Sequence, residues 1–75
     1  MVVIYNNDTN SLDEVIAILI VATQCGFEEA SIETWEAHVF GKASVHFGEQ
    51  DECRRAASII AEIGVKTEVT KEWID

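Results

Sequence analysis

Seventy-five residues make one small domain, 1–75, with no room for a second. Fourteen Asp and Glu against five Lys and Arg give a formal net charge of −9, a field that repels phosphate backbones and anionic lipid and favours cationic partners. Hydrophobic residues are 48% of the chain, too many for a disordered acidic tail, so a core is expected. Val2-Val3-Ile4-Tyr5 is β-branched and aromatic and predicts a strand. Six polar, turn-prone residues follow, Asn6-Asn7-Asp8-Thr9-Asn10-Ser11. Ser11, with Glu14 three residues later, forms a capping box that starts a helix at Leu12. Leu12, Val15, Ile16, Leu19 and Ile20 recur at helical spacing, and Gly26 is the expected stop.

A second helix is predicted from about Glu28, with acidic residues in its first turn where the helix dipole favours them. Ala30, Thr34, Ala37 and His38 lie on one stripe with Trp35 at its edge, and Gly41 ends the helix. Lys42 to Phe47 alternates Ala43, Val45 and Phe47 against Lys42, Ser44 and His46, the period of a half-buried strand. Cys53, Ala56, Ala57, Ile60 and Ile63 make the apolar stripe of a third helix closed by Gly64. Val65, Thr67 and Val69 suggest a last strand. The order β-α-α-β-α-β predicts an α+β domain, a three-stranded sheet with three helices packed on one face. No Pro, no Gly/Ser-rich stretch and no repeat marks a linker.

Little in the chain suggests catalysis. There is no Gly-rich phosphate loop, no HExxH and no nucleophile elbow. Cys25 and Cys53 form no Cys-x-x-Cys pair, and the plain expectation is two buried thiols in a reducing compartment. Cys25 as a nucleophile with His38 as base has no sequence feature to bring the two together. His38 and His46 fall on different elements without a third ligand, so neither a metal nor a cofactor is expected. The longest apolar run, Val15 to Ala22, covers 8 residues, far short of the ~20 that span a bilayer. No basic n-region precedes a signal-like stretch, and a cytoplasmic location is expected.

The Asn6-Asn7-Asp8 segment admits two readings. Amide oxygens and a carboxylate are acceptors, the inventory that suits an ammonium group. The same residues make an Asx-rich turn feeding the Ser11 cap. His38 likewise reads either as a ligand or as a histidine on a helix face whose polar edge is satisfied locally.

Asn6-Asn7-Asp8, then Leu12 and Val15, then His38-Val39-Phe40-Gly41-Lys42-Ala43 resemble the ClpS family of adaptors for the Clp protease. That family typically reads Asn-Asp-Asp, then Pro-Met at the helix start, then His-x-x-Gly-Lys-Ala, and the spacing from Asn to His is kept here without a gap. The resemblance runs over about residues 2 to 70. It implies an N-degron adaptor with no chemistry of its own. Such a protein takes substrates whose first residue is Phe, Tyr, Trp or Leu and hands them to the N-domain of a Clp-type AAA+ unfoldase. By similarity, Asn6, Asn7 and His38 hold the α-amino group and first peptide unit. Leu12 and Val15 line the side-chain pocket from the first helix, Thr34 and Ala37 from the second, and Val65 from the last strand. Asp51 matches the family's unfoldase-docking surface, while its usual Lys falls at Ala56, next to Arg55.

Departures from the family pattern carry expectations too. Asn7 stands where an acidic residue is usual, which removes one charge facing the ammonium. Asn10 and Ser11 replace Thr and Pro before the first helix; Thr34 and Ala37 replace larger pocket residues, so a roomier, more polar pocket with looser discrimination is expected. The arm that precedes the first strand in the family has no counterpart before Val2, which implies a trimmed chain or a minimal relative that binds but delivers poorly. The family's His-Pro before the last strand is also missing. The rival reading is an interaction module of this fold that docks on a partner without carrying cargo, an architecture similar to the C-terminal domain of the ribosomal stalk protein.

Overall fold

The computed structural model describes residues 1–7 and 9–70; Asp8 and residues 71–75 lie outside the described residues. Three strands, β1 (Val2–Tyr5), β2 (Lys42–His46) and β3 (Thr67–Val69), and three helices, α1 (Leu12–Thr23), α2 (Phe27–Phe40) and α3 (Gln50–Ala61), follow one another in the order β1-α1-α2-β2-α3-β3. The sheet order is β2-β1-β3, and both pairings are antiparallel. This is the expected α+β arrangement, with the first strand in the middle of the sheet.

Alternation along the strands sends Val2 and Ile4 of β1 and Ala43 and Val45 of β2 into the core. There they meet Val15 and Leu19 of α1, Ala30 and Ala37 of α2, and Cys53, Ala56, Ala57 and Ile60 of α3. Four of these eight helix residues are alanines, so the helix backbones can approach closely while the large side chains Ile4, Leu19 and Ile60 fill the centre. Pairing between β1 and β2 shifts register between Val2 and Val3, so that Ala43 faces Ile4 but His46 faces Val2. Such a bulge re-aims the strand end. It brings the His46 Nε2 to 3.2 Å from the Glu52 Oε1 on α3.

Helix ends follow local chemistry. The Ser11–Glu14 capping box forms in both directions, Ser11 Oγ accepting from the Glu14 N–H and Glu14 Oε1 from the Ser11 N–H. The end of α1 corrects the expected stop at Gly26. Gln24 instead takes the left-handed conformation, at φ 60°, and donates its N–H to Ile20 O. The Thr23 hydroxyl donates to Leu19 O and the Gln24 side-chain amide to Val21 O, so carbonyls of the last turns find partners before the glycine is reached. Gly26, at an extended φ of −78°, is the N-cap of α2. At the other end of α2, Gly41 at φ 90° closes the helix as expected and returns its N–H to Ala37 O.

Among the described residues no helix is long and apolar enough to cross a membrane.

Candidate functional site

A cavity of about 280 Å³ opens where the end of β1, the loop after it, the start of α1 and the last turns of α2 meet. Its apolar wall is Ile4 from the strand, Leu12 and Val15 from α1, Ala37 from α2, and Val65. Leu12 and Val15 share one face because three residues is close to one helical turn. Thr34 and Ala37 share the facing stripe of α2 for the same reason. Asn6, Asn7, Asn10, Ser11 and His38 supply the polar part of the lining.

All eight residues expected at a binding pocket, Asn6, Asn7, Leu12, Val15, Thr34, Ala37, His38 and Val65, therefore border one cavity. Val65 differs from expectation in its element. It precedes β3 rather than belonging to it, and it is buried as the chain leaves the turn at Gly64. The regular run is shorter than expected: Lys66 O accepts the Tyr5 N–H at 3.0 Å, but paired register with β1 starts only at Thr67, opposite Ile4.

The polar loop is closed largely by its own hydrogen bonds. Asn7 Oδ1 accepts from the Asn10 N–H at 3.1 Å, and Asn7 Nδ2 donates to Asn10 Oδ1 at 3.0 Å and to Gly64 O at 3.4 Å. Asn7 thus makes the Asx turn and also ties the loop to the turn before β3. One lone pair of its carbonyl oxygen stays available to a ligand. The Asn6 backbone N–H is fixed by Gly41 O at 2.9 Å, and its side chain is exposed. The His38 side chain is exposed at the cavity's edge. Among the described residues, neither of these side chains makes a hydrogen bond. Their acceptors are open to a donor.

Two polar groups on α2 behave differently. Thr34 is 3% exposed and its Oγ1 has no partner among the described residues. Glu33 is 9% exposed with Oε1 likewise unpartnered. Burial, with the Glu29 and Glu36 carboxylates adding to it, pushes the Glu33 pKa up to about 7. Glu33 borders a separate cavity with Cys25, Glu29, Val45 and His46. Its burial was readable in principle, since residue 33 falls i+3 from Ala30 and i+4 before Ala37 on the stripe already recognised. Tyr5, Asn10 and Ser11 also line the first cavity. The Tyr5 ring lies under the Lys66 ammonium, 5.1 Å from the ring centroid.

Asp51 and Arg55 are exposed on α3 and border a third cavity with Val21, Thr23 and Gln24 at the far end of α1. From Leu12 to Thr23 the axis of α1 runs roughly 16 Å. The expected docking pair and the expected pocket are therefore at opposite ends of one helix. Cys25 is half-buried rather than buried; its thiol points to Leu19 O at 3.8 Å, and Cys53 is fully buried with its thiol 3.6 Å from Gly48 O. Among the described residues no group of three or more His, Cys, Asp or Glu is placed to hold a metal ion.

The cavity can do one thing chemically. It offers hydrogen-bond acceptors at an open rim and an apolar wall beneath them, the arrangement for a ligand with a donor head and an apolar body. The family model for the ATP-dependent Clp protease adaptor protein ClpS matches residues 1–68 of the chain. No curated protein matches it.

Proposed function

The chain belongs to the ClpS family of ATP-dependent Clp protease adaptors, and on that premise we propose that it is an N-degron adaptor acting in the cytoplasm. It binds the free α-amino group and the bulky hydrophobic first residue of a substrate, Phe, Tyr, Trp or Leu, and presents that substrate to a Clp unfoldase. It does no chemistry itself. One observation carries this reading: Asn6, Asn7 and His38 line the same cavity as Leu12, Val15, Thr34, Ala37 and Val65, although they come from four separate stretches of chain.

The physics of such binding has two parts. An ammonium brings three donors, and here Asn6, His38 and the spare lone pair of Asn7 are the acceptors. The first side chain leaves water for the apolar wall, at roughly 25 cal/mol for each Å² buried. The side chain supplies most of the free energy, and the ammonium supplies the requirement that the residue be first. An internal Phe has no ammonium and cannot meet the acceptors. Asp51 and Arg55, away from the cavity, leave a loaded pocket clear while the other end of α1 meets the unfoldase.

Fluorescence anisotropy with labelled peptides that begin with Phe, Tyr, Trp or Leu tests the reading against N-acetylated copies of the same peptides. The free amines bind and the acetylated copies do not. Asn6→Ala and His38→Ala each weaken binding by about 1–3 kcal/mol, the order of a lost hydrogen bond. Equal affinity for free and acetylated peptides would overturn the reading. Capture of the unfoldase N-domain with no peptide affinity at all would favour the module without cargo.

A further inference from the structure

The helix α2 carries apolar residues on both of its faces. Its inner face buries Ala30, Glu33, Thr34 and Ala37 against the rest of the fold. Successive residues advance by about 100°, which puts Ile32, Trp35 and Val39 on the opposite, outer face. Each of these is at least half exposed, and so is Phe40 at the helix end. The Phe40 ring stands edge-on to the Trp35 indole, with 6.1 Å between centroids. A single exposed apolar residue is ordinary on a protein surface. Four of them in sequence along one helix, two of them aromatic and in mutual contact, form a contiguous patch of the kind that marks an interaction surface.

The charges around the patch indicate what covers it. Glu28 heads the stripe, and Glu29 and Glu36 run along one edge at helical spacing. On the other edge His38 lies between the stripe and the cavity. A second copy of this chain would set the same carboxylates against one another and bring together two net charges of −9. A basic partner gains from both features.

We propose that the outer face of α2 docks a basic amphipathic helix of a partner protein. The partner's apolar stripe covers Ile32, Trp35, Val39 and Phe40, and its Lys or Arg residues flank that stripe to meet Glu28, Glu29 and Glu36. Ile32 to Val39 spans about 10 Å of helix axis, so three turns of the partner are enough, and the small contact suits a transient complex. Recognition of this type reads anchors at i, i+3 and i+7. The patch and the cavity are on different faces of α2, so this surface stands whether or not the cavity binds N-degrons.

The probe is a fluorescein-labelled, N-acetylated three-turn helical peptide with Leu on one stripe and Lys flanking it. A copy with Glu in place of every Lys is the control. Acetylation keeps the peptide's own terminus out of the cavity. At physiological ionic strength the Lys peptide binds and the Glu peptide does not, and amide shifts in the ¹⁵N-labelled chain gather on the outer face of α2. Ile32→Ala with Trp35→Ala weakens binding roughly tenfold, while Phe47→Ala, at an exposed aromatic elsewhere, leaves it unchanged. Glu28→Lys with Glu36→Lys keeps the apolar stripe and reverses the preference toward the Glu peptide. Equal binding of the two peptides, shifts centred on the cavity, or undiminished binding by the Ile32/Trp35 variant would each overturn the proposal. So would a concentration-dependent dimer abolished by Trp35→Ala, because the occupant would then be a second copy.

Discussion

Two regions beside the candidate site hold polar side chains next to apolar walls, and they resolve that conflict in opposite ways. In the loop between β1 and α1 and the first turn of that helix, Asn7, Asn10, Ser11 and Glu14 satisfy one another and the nearby backbone at separations of three residues. On the inner face of α2, Glu33 and Thr34 are more deeply buried and each leaves an oxygen without a partner among the described residues. The loop residues are held by sequence-local hydrogen bonds that form wherever the chain turns. The helix residues face the core only because the helix packs there. Locally closed polarity supports the fold, whereas polarity carried inside by packing costs stability. A buried unpaired polar group costs about 1–3 kcal/mol, and more if charged.

The largest test of this contrast is Glu33. Its folded-state pKa is raised from 4.5 to about 7, so the native chain holds this proton more tightly than the unfolded one. The stabilisation from the protonated form is fully present below about pH 4.5 and is lost as pH rises through about 7. Solvent screens part of the repulsion from Glu29 and Glu36, so the loss stays below the roughly 3 kcal/mol that a shift of this size would carry in a fully buried group. Urea unfolding of the parent and of Glu33→Gln across this window isolates the effect, since the other carboxylates are common to both. The difference in stability grows with pH in favour of Glu33→Gln and levels off above pH 7. A constant difference would mean that the carboxyl finds a partner or water in solution.

Asn7→Asp comes next and sharpens the comparison from the loop side. Aspartate keeps the acceptor for the Asn10 N–H but cannot donate to Asn10 Oδ1 or Gly64 O. Unfolding should show a loss of about 1–2 kcal/mol, while anisotropy with Phe-initiated peptides should show tighter binding, because a charge now faces the ammonium. Opposite signs in the two assays are the expected signature. Equal stability of parent and variant would show that the link to Gly64 holds nothing.

Thr34→Val is the smallest. Valine keeps the branched shape and removes the unpartnered hydroxyl, so stability rises by up to about 1 kcal/mol, and Phe-initiated peptides bind at least as well as to the parent. A loss on thermal unfolding would mean that the hydroxyl is hydrogen-bonded after all.

Much of the fold was legible because its signals are local. The β-branched start of β1, the Ser11–Glu14 box, the alternation around Ala43 and Val45 and the stripe from Cys53 to Ile60 each act within one element. The end of α1 was misplaced at Gly26 because side-chain caps from Thr23 and Gln24 leave no mark as plain as a glycine. The cavity's lining could be named residue by residue only through the family resemblance. Nothing in spacing or periodicity tells that Asn6 meets His38 across more than thirty residues of chain.

By itself, then, the sequence determined the elements, their order, the capped start of α1 and the acidic surface, since these depend on neighbours within a turn or a strand. Only the tertiary structure decided which groups share a cavity and which faces remain open. It brings eight distant residues around one opening and sets Asp51 and Arg55 at the far end of α1. It also buries Glu33 while leaving Trp35 in solvent. One helix cannot fix which of its two apolar faces will be covered. That choice is made by the partners it packs against, and α1 and β2 cover only one.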